Sequence, residues 1–75
     1  MNETTRIKKD IDMFEININQ LKEKNNYLTE SQNKTVELAK QYFNVSKYYL
    51  EKKDYFTAFG CINYAHGLLD AIIKF

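Results

Sequence analysis

The chain has 75 residues, no proline, two glycines, a single cysteine and a formal net charge of +1. That length bounds it to one domain with a modest core, and the lone Cys61 excludes an intrachain disulfide as a staple. The eleven cations and ten anions are interspersed, and Arg6 is the only arginine. No apolar run nears the ~20 residues of a membrane span, so nucleic-acid and membrane partners are disfavoured.

The absence of proline permits long helices, and the apolar spacing requires them. In the first segment Ile7, Ile11, Phe14, Ile18 and Leu21 step by four, three, four and three. This is one narrow stripe, predicting a helix over about residues 4–25. Lys8 and Asp12 stand at i,i+4 on its charged side. Met13 and Ile16 fall off the stripe. They read either as scattered surface apolars or as a second contact. Asn25 and Asn26 suit a helix end, and Tyr27 and Leu28 are expected to pack across the joint.

Thr29 and Gln32 have capping-box spacing and open a second helix, over about residues 30–52. Its main stripe is Val36, Ala39, Phe43, Ser46 and Leu50. A second lies beside it, made of Leu38, Tyr42, Val45 and Tyr49. That face is wider than one neighbouring helix covers. Lys52 and Lys53 suit the C-terminal end of the helix dipole, and Asp54 is placed to cap a third helix.

The third helix is expected over about residues 55–73. Its main stripe is Tyr55, Ala58, Phe59, Ile62, Ala65, Leu69 and Ile72. Cys61, Tyr64, Leu68 and Phe75 form a second stripe. The very short joint before Tyr55 forces an antiparallel hairpin, and the first helix closes it. The predicted fold is all-α: an antiparallel three-helix bundle built on a C-terminal hairpin, in a single domain spanning 1–75.

Two resemblances follow from these residues. Tyr55, Ala58 and Ala65 follow the pattern of a tetratricopeptide-like hairpin, in which small residues allow close helix approach. Lys53 stands where that pattern prefers glycine. One copy makes no array, since such repeats are stabilised by stacked neighbours. The second resemblance covers about half the chain. It rests on Tyr48-Tyr49-Leu50-Glu51-Lys52-Lys53-Asp54-Tyr55, Ala58-Phe59 and Tyr64-Ala65-His66-Gly67-Leu68-Leu69-Asp70-Ala71. The sequence resembles the mostly archaeal family catalogued as domain of unknown function 357. That resemblance implies a short helical protein and implies no activity.

One constellation carries possible chemistry. His66 and Asp70 lie four apart on one helical face, close enough to meet. A carboxylate would orient one imidazole nitrogen and leave the other for proton transfer, a small ligand or a metal. The plainer reading has Asp70 satisfying a half-buried histidine at the core edge. Gly67 weakens its helix by about 1 kcal/mol relative to alanine, and its expected return is close approach by another helix or a partner. No glycine-rich phosphate loop or recognisable nucleophile motif occurs, and the Arg-then-His spacing of small helical ribonucleases is absent. Cys61, on an apolar stripe, reads as an inert thiol.

The sequence therefore predicts no catalytic residue, cofactor or metal. It favours a non-catalytic interaction module that self-associates, with a dimer preferred, or that binds another protein. His66, Asp70, Gly67, Tyr64, Tyr49 and Leu68 are the candidate functional or interface residues. A ligand-binding or enzymatic use of His66 and Asp70 is the alternative, and nucleic-acid association is a weaker one. The lone thiol, and a polar start (Met1–Lys9) without an apolar stretch, give a cytoplasmic expectation.

Overall fold

The three apolar stripes wind into three helices. A computed structural model describes residues 3–24 and 28–73, as α1 (Glu3–Lys24), α2 (Glu30–Glu51) and α3 (Tyr55–Ile73). The expected second helix loses its last residue, because Lys52 is its C-cap rather than its final turn. Residues 25–27, 74 and 75 lie outside the described residues, and so do the expectations placed on Asn25, Asn26, Tyr27 and Phe75.

Local chemistry sets the boundaries. The Thr29 hydroxyl accepts the Gln32 N–H at 3.1 Å, and the Gln32 amide oxygen accepts the Thr29 N–H at 2.9 Å. This reciprocal capping box starts α2. At its far end the Lys53 N–H donates to the Leu50 carbonyl and the Asp54 N–H to the Tyr49 carbonyl, each at 3.0 Å. That is a Schellman closure, and it holds Lys53 at φ 64, in the left-handed region that favours glycine. Asp54 then caps α3, taking the Thr57 N–H at 3.2 Å and the Thr57 hydroxyl at 2.8 Å.

The hairpin of α2 and α3 is the most intimate contact. Ala39, Ala58 and Ala65 are fully buried, and their small side chains let the helix axes approach. Ser46, also fully buried, donates its hydroxyl to the Ala58 carbonyl at 2.7 Å. This bond answers the polar atom in an otherwise apolar stripe.

Helix α1 lies over one face of the hairpin. All five members of its stripe are buried, and Phe14 is the largest of them. Its ring stacks on Phe43 of α2 with centroids 4.8 Å apart and meets the edge of His66 of α3 at 5.7 Å. Leu28 packs against the core where the chain enters α2. Met13 and Ile16 are 48% and 55% exposed, outside the intrachain contact. The expected Lys8–Asp12 pair is not among the described ion pairs, which join Lys34 to Glu30 and Lys40 to Glu37. On a helix side open to water such a pair gains little over solvation.

Candidate functional site

His66 projects from α3 toward α1. Its Nε2 lies 2.8 Å from the Asp10 carbonyl oxygen, and a carbonyl only accepts, so Nε2 carries the proton. With the Phe14 contact, this makes the imidazole a half-buried pin between the first and third helices. The sequence pairs His66 with Asp70, whereas the partner observed is a backbone group 56 residues away. Asp70 is half-buried and is itself engaged. Four clefts of the described residues are lined by other side chains, among them Phe14, which meets His66.

Gly67 and Gly60 are the second point at which sequence and structure differ. A Cβ built at either position meets nothing within 4 Å. No neighbouring helix of this chain uses the space they leave, so intrachain close packing does not account for them. Both have ordinary helical backbone with negative φ. The close approaches of the fold fall at the alanines and Ser46 instead.

The second stripes of α2 and α3 form one surface on the side of the hairpin away from α1. Their meeting point is an edge-on contact of Tyr42 with Tyr64, centroids 4.7 Å apart. Leu38 and Val45 are 37% and 39% exposed, and Tyr64 is 50% exposed. Tyr42, Tyr49, Cys61 and Leu68 are half-buried between them. These seven side chains include no formal charge, in a chain that is 28% charged. Burial, with the Asp54 carboxylate adding to it, raises the Cys61 thiol above its ordinary 9.0. The sulfur is therefore held as the neutral, poorly nucleophilic thiol.

A third feature lies where α1 and α3 begin, apart from the candidate residues of the sequence analysis. Arg6, Ile7, Tyr55, Phe56 and Phe59 line a cleft of about 200 Å³ there. The Arg6 guanidinium stacks over the Phe59 ring, 5.1 Å from its centroid. Phe56 is 91% exposed, although it borders the cleft. A recognisable signal was present: Phe56 sits one position beyond the core stripe, on the first turn of α3.

Among the described residues, no group of three or more His, Cys, Asp or Glu side chains gathers where it could hold a metal ion. No described helix is long and apolar enough to cross a membrane. The sequence itself settles the relationship. The family model described as a protein of unknown function, DUF357, matches residues 9–75. The chain belongs to the DUF357 family. No curated protein matches it. The DUF357 match includes the hairpin, its uncharged outer face and His66, and it begins after Arg6.

Proposed function

We propose that this DUF357 protein is a non-catalytic helical interaction module that self-associates through the outer face of the α2–α3 hairpin. The observation that carries this reading is the uncharged surface joined at Tyr42 and Tyr64. The first helix covers the opposite face of the same hairpin, so a second copy is the natural cover for this one. Contiguous exposed apolar side chains rimmed by polar ones are a usual mark of an association surface. A net charge of only +1 lets two copies meet without strong repulsion.

The role of His66 as an interhelical pin supports the non-catalytic side of the proposal. Its donor is committed to a backbone carbonyl. A general acid or base needs to reach a substrate.

Variants at Leu38, Val45 and Tyr64 test the proposal better than variants at Tyr49 or Leu68, which also pack against the core. Val45→Glu is expected to convert an associating chain into a monomer while helicity by circular dichroism stays unchanged. A wild-type chain that is already monomeric would overturn the proposal.

A further inference from the structure

We propose that the cleft at the shared start of α1 and α3 binds a small aromatic carboxylate through Arg6. The cleft is ringed by five side chains from two helices and encloses about 200 Å³. That is below the ~300–1,000 Å³ of pockets for drug-sized ligands. That volume suits one ring with a short arm.

The lining states the chemistry. Ile7 is buried and forms an apolar floor, while Tyr55, Phe56 and Phe59 provide aromatic walls. Phe56 is almost wholly exposed, so a ring laid against it removes apolar surface from water on both partners. Arg6 supplies the charge. Its guanidinium carbon lies 5.1 Å from the Phe59 ring centroid, and a cation seated on a ring face keeps its N–H donors for a carboxylate. No described carboxylate lies within ion-pair distance of it. Asp54, the acid adjoining Tyr55, directs both its oxygens to Thr57.

Helix α1 adds to this preference. Arg6 meets Phe59 and Asp10 meets His66, so α1 and α3 run in the same direction. The positive dipole end of α1 therefore lies at the end of the bundle that holds the cleft, while that of α3 is already answered by the Asp54 cap. A carboxylate on the guanidinium edge and a ring on Phe56 satisfy both halves of the site together.

The test is nuclear magnetic resonance titration of the full chain with phenylacetate, and in parallel with the neutral phenylacetamide. Phenylacetate is expected to saturate at about millimolar concentration, as befits so small a ligand. The moving signals should be those of Arg6, Ile7, Tyr55, Phe56 and Phe59. The amide should bind about ten-fold more weakly, and Arg6→Met should remove that preference. Phe56→Ala, at an exposed position, should weaken both ligands with the fold intact. Equal binding of acid and amide, shifts centred elsewhere, or no saturation with phenylacetate would each overturn the proposal. The oligomeric state is read separately and does not decide this outcome.

Discussion

The Ser46 hydroxyl donates to the Ala58 carbonyl at 2.7 Å, joining two helices at a point that no water reaches. Ser46→Ala removes that bond but leaves the small volume, and it is expected to destabilise the chain by about 1 kcal/mol. Ser46→Leu must also force apart a seam packed on Ala58. It should cost more, about 1–3 kcal/mol from overpacking alone. Chemical denaturation of the two variants checks the order. A serine-to-leucine change milder than serine-to-alanine would contradict the packing described.

Lys53 is held at φ 64 by the closure between α2 and α3. A side chain there carries a steric penalty of about 1–2 kcal/mol that glycine avoids. The extra freedom of glycine in the unfolded chain offsets part of the gain. Lys53→Gly is expected to stabilise by about 1 kcal/mol, raising Tm by about 4–8 °C for a domain of this size. A lower Tm would mean that the turn closes differently.

The two helical glycines give a contrasting pair of substitutions. Because a Cβ at Gly60 or Gly67 meets open space, either glycine-to-alanine change should stabilise the isolated chain by about 0.5–1 kcal/mol. Thermal melts of dilute protein measure this. Destabilisation at either site would show that something occupies the space beside α3.

Raised by burial and by Asp54, Cys61 should be slow to alkylate near neutral pH. The sign of the linkage follows from the direction of the shift. Folding favours the neutral thiol, so this contribution is complete below the ordinary 9.0 and is lost as pH rises through the higher folded value. Iodoacetamide labelling of the native chain should accelerate with pH later than labelling of the chain in denaturant. Coincident profiles would remove the effect.

The local features of the fold were legible because their signals are local. The α1 stripe is buried at each of its five positions, and Thr29 and Asp54 cap the helices they precede. Long-range polar contacts leave no such mark. His66 could be matched in sequence only to a side chain one turn away, whereas its observed partner is a main-chain carbonyl, which every residue possesses. For Gly67 the structure excludes approach by another helix of the chain and leaves approach by a partner open. A missing side chain permits close approach, but sequence cannot say whether anything approaches. The Arg6 cleft depends on two helix starts that are distant in sequence, and only the folded chain brings them together.

The central claim is that the uncharged outer face of the hairpin is covered by a second copy. Sedimentation equilibrium of the full chain tests it most directly, run from about 1 to 100 μM so that a micromolar Kd is bracketed. The expected result is a reversible dimer that Val45→Glu reduces to monomer without loss of helix. A wild-type chain that sediments as a monomer throughout that range would contradict it.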